Sequence, residues 1–437
     1  MPPIPRDIPL PLPIPALTLE VLLVFLFLLH ILFVNLMVGG SLLTVFFELR
    51  GRRDRDLDTL AREIGRTITV NKSLAVVLGV GPLLVINLLY TVWFYSANAL
   101  TGVAWIMIVP LVIAAFLFSY AHKYSWDVLA ERKGLHLSIG AAAAALFLAV
   151  PFVFLTNINL MLFPERWSGV HGFLSALVLP NVVPRYLHFV TASLALTGLF
   201  LAGYFGRAGY PAERVFERLD RAELRRRFAA LALGASGVQL VAGPLVLFTL
   251  PSRGISWALL LNITLGLSLA VAAMVVLWRE VVTPRPALGG RYWAAVALLT
   301  GTVVFMGYGR HLYRERAIEG HAAQVAERSQ VWSEQVLAAQ MRAATGTARV
   351  KEEKAASPGE KVFRSVCMGC HARDTRLVGP PMVEVAKVYR GDPVTLAAWV
   401  KAPGRKRADY PEMPPVRLSE AQYQAVAEYV LQSFAAP

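Results

Sequence analysis

From Ser73 to His122 the chain carries no Asp, Glu, Lys or Arg. A hydrocarbon layer about 30 Å thick is crossed by about 20 apolar residues in a helix, the form that satisfies every backbone polar group internally. The stretch is therefore read as two spans, with a turn near Asn98-Ala99-Leu100-Thr101-Gly102. Uncharged runs of crossing length recur at Val21–Phe47, bounded by Glu20 and Glu48, and near 135–158, 186–206, 228–250, 255–278 and 292–309, which makes eight spans. With 56% hydrophobic residues in 437, most of the chain is not an ordinary soluble core. The expected fold class is all-α, a polytopic helical bundle in the lipid bilayer followed by a small helical domain.

Lys and Arg set the orientation. With the N-terminus outside, the connections 49–72, 123–133, 207–227 and 279–291 face the cytosol and hold 20 of them, against 3 in 96–103, 159–185 and 251–254. Basic loops stay on the cytosolic side. Eight spans then bring the C-terminus out on the outer face, and the expected location is a bacterial cytoplasmic membrane with the tail in the periplasm. Loops such as Arg221 to Arg227 also account for the net charge of +14, so nucleic acid is not needed as a partner.

The tail holds both cysteines of the chain, in Cys367-Met368-Gly369-Cys370-His371. C-x-x-C-H places two thiols where both can bond one porphyrin edge, with the adjacent imidazole as proximal iron ligand. A CxxC redox pair does not need His371, and half a zinc site has no further Cys to complete it. Cys367, Cys370 and His371 are thus the expected site of one covalent haem c.

Residues 354–437 resemble a class I cytochrome c. The run Gly359-Glu360-Lys361-Val362-Phe363, the loop Gly379-Pro380-Pro381 and the segment Tyr410-Pro411-Glu412-Met413-Pro414-Pro415 match that family's pattern. The resemblance implies Met413 as distal ligand, and Pro414 biases it to the extended backbone such a loop needs. Met382 is a competitor, and a core methionine is the plain alternative. It also implies that the Pro380 carbonyl accepts from His371, and that Phe363 and Tyr429 mark where the first and last helices cross. A His/Met pair suits single-electron transfer and leaves no open position for a substrate.

The remaining organisation is read as a Pro-rich cap over 1–16, a membrane domain over 17–310, a connector and tether over 311–356, and the cytochrome domain over 357–437. In the connector, Ile318, Ala322, Val325, Ser329, Trp332, Val336 and Ala339 recur at spacings of four and three. That predicts one helix with a narrow apolar stripe in need of a partner. The cytochrome domain, another subunit and a second copy all qualify. Thr345 to Ser357 reads as a flexible tether.

Of the other histidines, His30 lies deep in the first span, where an imidazole must be ligated, hydrogen-bonded or wet. His188 and His311 lie near outer span ends, where snorkelling competes with ligation. His122 and His136 flank a short cytosolic loop and are expected to be solvated; His171 and His321 are expected at the surface. Leu29 to Leu36 with Gly39 and Glu48, Pro184 to Ser193, and Gly307-Tyr308-Gly309-Arg310 resemble three elements of subunit I of the cytochrome bd quinol oxidases. That resemblance spans about 17–310 and implies His30 and His188 as b-type haem ligands, with His311 a further candidate.

The departures bear on activity. Phe118 stands where that family has a glutamate beside its oxygen-reducing haem, Asn262-Ile263-Thr264 where it has a distal methionine, and Pro251-Ser252-Arg253-Gly254 where it has a long outer loop. Acid–base work needs a titratable group within reach, so oxygen reduction is disfavoured. Met306 is a replacement ligand or a plain core methionine. Glu20, Arg185 and Arg253 are candidates for a quinone or haem-propionate pocket, or ordinary anchors. The expected function is electron transfer between the quinone pool or a membrane haem and a periplasmic or complex-bound redox partner, as a subunit of a respiratory oxidoreductase complex. A terminal oxidase and a non-catalytic anchor are the alternatives; no catalytic residue is assigned.

Overall fold

The computed structural model describes residues 12–283, 288–344, 357–389 and 391–435, with 69–73 and 342–344 as backbone only. Most of the Pro-rich cap and the 345–356 tether lie outside these residues. The chain divides into two compact units, 1–334 and 335–437, and every regular element among the described residues is helical.

The first unit contains α1 (Ala16–Gly51), α2 (Arg55–Leu89), α3 (Thr91–Thr101), α4 (Val103–Ile106), α5 (Ile108–Tyr124), α6 (Lys133–Leu160), α7 (Phe173–Leu177), α8 (Val182–Gly206), α9 (Ala212–Val215), α10 (Arg221–Phe248), α11 (Trp257–Val282) and, up to residue 334, α12 (Gly290–Ala344). Among the described residues seven helical stretches are long and apolar enough to cross a bilayer, and an eighth is the broken pair Leu74–Leu89 and Thr91–Thr101, bent by 111°. The protein is thus a multi-pass membrane protein. The turn expected near Gly102 is present, with Gly102 at φ 56°, a conformation that favours glycine. The bend at Tyr90 has no local breaker. It goes with tertiary contacts: the Tyr90 hydroxyl donates to Glu315, and Arg314 lies 4.9 Å over its ring.

Where lipid supplies no hydrophobic drive, helices associate through small residues and polar links. A Cβ on Gly198 of α8 would lie 2.8 Å from the Ala232 nitrogen of α10, so the two backbones touch. Ser193 Oγ of α8 donates to Asn35 Oδ1 of α1 at 2.9 Å. At the end that carries the basic connections, the buried pair Arg225–Glu280 (2.7 Å) ties α10 to α11. There, too, Asp56 accepts the backbone N–H groups of Glu217, Arg218 and Leu219 at 2.8, 2.7 and 3.2 Å. At the other end Asn157 donates to Asn98 (2.7 Å), and Thr101 donates to Asn157 (3.0 Å).

The expected connector helix is the continuation of the last span, in one 55-residue helix. Its stripe finds part of its partner at home. Ile318 and Val325 are buried with Ala322 against Trp93, Phe94 and Leu160 of the same unit.

The second unit contains α13 (Pro358–Val362), a π-helical turn (Phe363–Cys367), α14 (Met382–Tyr389), α15 (Pro393–Lys401) and α16 (Glu420–Phe434). Ser419 and Gln422 form a capping box that starts α16. A Cβ on Gly359 would lie 2.0 Å from the Ala425 carbonyl oxygen, so α13 and α16 cross backbone to backbone. Phe363 and Tyr429 pack there at 5.7 Å, as expected.

Candidate functional site

In the second unit the helix widens just before the C-x-x-C-H motif. The Met368 N–H donates to the Phe363 carbonyl at 2.9 Å, a π-type bond of the kind found at functional sites. The next turn closes with the N–H groups of Cys370 and His371 both donating to the Cys367 carbonyl. Both sulfurs therefore sit on one turn beside the imidazole. Burial, with Cys370 alongside, pushes the Cys367 thiol up to about 11. His371 Nδ1 donates to the Pro380 carbonyl at 2.9 Å, which presents Nε2 for coordination. Gly379 cradles the ring: a Cβ there would lie 2.2 Å from His371 Cε1. Val366, Met368, Leu377 and Val378 stand exposed around the motif, an apolar surface of the kind that a porphyrin covers. The residues present fit a haem c.

The two methionines differ in setting. Met382 is 5% exposed and packed in the core with Phe363 and Tyr423. Met413 is half-buried on an irregular segment. That segment is tied to the motif's own loop by Arg376, which donates to the Asp409 carbonyl and lies 4.4 Å over the Tyr410 ring.

In the membrane unit His30 Nδ1 donates to the Ala75 carbonyl of α2 at 2.8 Å, and Gly79 leaves room for the ring. Anchoring one ring nitrogen on a carbonyl is what ligating histidines do. His188 Nδ1 and His311 Nδ1 are buried and have no hydrogen-bond partner among the described residues. Gln239 Nε2 donates to the His188 carbonyl at 2.9 Å, while its own Oε1 is likewise unpartnered among them. His311 Nε2 lies 3.5 Å from Glu20 Oε2. Orphaned buried polar atoms are costly, so His188, Gln239 and His311 each keep a bonding capacity that the described residues do not use.

The remaining candidates differ in setting. Arg253 is spent on the Ala317 and Leu162 carbonyls (2.6 and 2.9 Å) and on Glu165 (2.8 Å), so it braces the loop instead of lining a pocket. Arg185 donates to Asn181 at 2.7 Å. Met306 is exposed and packs across Gly266 of α11, not in a core. Phe118 faces outward, 41% exposed. His171 is at the surface as expected, while His321 is half-buried: its ring packs edge-on against Trp93 and Trp167 at 5.8 and 5.4 Å.

The largest correction concerns His122 and His136. They are expected to be solvated, yet both are buried against Glu48, at 7%, 0% and 1% exposure. His122 Nε2 lies 2.7 Å from Glu48 Oε2, and His136 Nδ1 meets Glu48 Oε1. Sequence spacing conceals this group, because its members come from three helices.

The protein family described as "Cytochrome C oxidase, cbb3-type, subunit III" matches residues 354–430. Cytochrome c-551 of Azotobacter vinelandii is 42% identical over 77 residues, 17% of this chain and 94% of that protein. Cytochrome c-551 of Stutzerimonas stutzeri is 35% identical over 92 residues, 20% of this chain and 88% of that protein. The bd oxidase of Geobacillus thermodenitrificans superposes on 76% of this chain and 98% of its own with a TM-score of 0.54, at 14% identity, a likeness of fold. Through its C-terminal domain the chain belongs to the class I cytochromes c, carried on a membrane bundle with the bd oxidase subunit I fold, and its role lies in membrane-associated electron transfer.

Proposed function

We propose that this chain passes single electrons between the quinone pool or a b-type haem held in its membrane unit and a periplasmic or complex-bound redox partner, through its haem c. The observation that carries the reading is the pair of braced imidazoles. His371 is fixed by the Pro380 carbonyl in the cytochrome domain, and His30 is fixed by the Ala75 carbonyl in the membrane unit. When bound, each haem supplies a one-electron couple.

The chain's own residues do the rest. Cys367 and Cys370 would hold the porphyrin through their sulfurs, His371 and Met413 would ligate its iron, and Gly379 keeps the space beside the His371 ring clear. His30, His188 and His311 would supply the ligands of a haem in the membrane unit. The partition of Lys and Arg, 20 against 3, supports an outer C-terminus when the broken pair counts as a span. The outward Phe118 leaves no carboxylate at its position to deliver protons to oxygen.

The test is stopped-flow reduction of the purified full-length chain by a quinol, reading the c-type band. Wild type reduces its haem c, and His30→Ala slows that step at least tenfold while ascorbate still reduces haem c fully. Equal rates in both proteins, or high-spin carbon-monoxide binding with oxygen uptake, contradict the proposal.

A further inference from the structure

Glu48 near the end of α1, His122 in the last turn of α5 and His136 in the first turn of α6 meet at the basic end of the bundle, and the electron path proposed above does not use them. We propose that these three side chains bind one divalent transition-metal ion of the zinc class.

The donor atoms are already gathered: one ligand atom from each residue lies within 4.8 Å of the others, and all three residues are buried. His136 Nε2 is 2.8 Å from the His122 carbonyl oxygen. A carbonyl only accepts, so Nε2 carries the proton, and Nδ1, the nitrogen aimed at Glu48, has the lone pair for a metal. That outer-shell bond to a carbonyl is the arrangement that orients metal-binding histidines. The two imidazoles stack at 4.1 Å and 28°, and Trp126 packs edge-on against both, at 5.3 and 4.6 Å. A Cβ on Gly140 would lie 2.6 Å from His122 Nε2, so glycine keeps the coordinating nitrogen clear.

A cavity of about 260 Å³ opens beside the group, lined in part by Ser41, Thr44 and Ser119. It offers an entry path and room for a water as fourth ligand. Of the cations that line it, Arg62 pairs with Asp127, Arg66 pairs with Glu63, and the Lys123 ammonium lies 5.4 Å over the Tyr124 ring. Two imidazoles, one carboxylate and an open position form a donor set that suits zinc and its neighbours. The site is independent of the membrane haem assignments.

The test uses the full-length holoprotein without a histidine tag, stripped with chelator and titrated with Zn²⁺ against a competing indicator. Wild type takes up one equivalent, Glu48→Gln and His136→Gln lower the affinity at least 100-fold, and the haem c spectrum is unchanged. Pulsed electron paramagnetic resonance of the Cu²⁺-loaded wild type needs no variant and shows two imidazole nitrogens. No uptake by wild type, uptake undiminished in both variants, or copper without imidazole coupling overturns the proposal and leaves the group a metal-free ion cluster.

Discussion

His371 Nδ1 and the Pro380 carbonyl oxygen lie 2.9 Å apart, so one face of the cytochrome domain fixes its imidazole before any iron is counted. The fit is close, because Gly379 stands against the same ring. Gly379→Ala is expected to displace the imidazole and cut the yield of covalent haem at least several-fold. Haem-stained gels of matched protein amounts check this, and an unchanged yield would show that the ring has slack.

Met413 and Met382 separate by setting. Met413→Ala is expected to lower the midpoint potential of haem c, within the roughly 0.8 V range that axial ligands command. Met382→Leu, a near-isosteric core change, leaves the potential in place and costs less than about 1.5 kcal/mol. Redox titration of the two variants distinguishes ligand from core residue.

The Asp56 carboxylate is half of a loop clasp. Burial works to raise its pKa, but three backbone N–H donors and Arg218 outweigh it and hold the group below the usual carboxylate range. A carboxyl with a depressed folded-state pKa adds stability above its unfolded pKa, and that stability is lost as pH falls through the folded value. Thermal unfolding of the detergent-solubilised protein should show an acid-side loss that Asp56→Asn flattens. At neutral pH the variant is expected to be less stable by about 2 kcal/mol, the scale of charged hydrogen bonds.

The Arg225–Glu280 pair joins α10 to α11 in a buried setting. Glu280→Leu alone leaves a buried guanidinium without its carboxylate and should cost about 3–5 kcal/mol. Arg225→Met with Glu280→Leu should recover most of that loss, read from melting temperatures of the single and double variants.

What the sequence discloses and what it hides divide by range. The C-x-x-C-H motif, the Gly102 turn and the uncharged runs are local signals, and the chain follows each. The His371–Pro380 bond and the Phe363–Tyr429 crossing follow from family likeness over a short domain. Tyr90 is different: no glycine or proline stands beside it, and its bend goes with Glu315 and Arg314, more than 220 residues away. Glu48, His122 and His136 each sit at a span end, where solvent is the default expectation, and only three-helix packing takes them out of water. The connector stripe shows the same limit, since its spacing states that Ile318 and Val325 need a partner but not that Trp93 and Phe94 supply one.

The most direct test of the whole account is a pyridine haemochrome spectrum of the purified full-length chain, taken before and after acid–acetone extraction. The account predicts one non-extractable c-type haem per polypeptide together with at least one extractable b-type haem, the latter lost in His30→Ala. A chain with no thioether-bound haem, or with haem c and no b-type band at all, contradicts it.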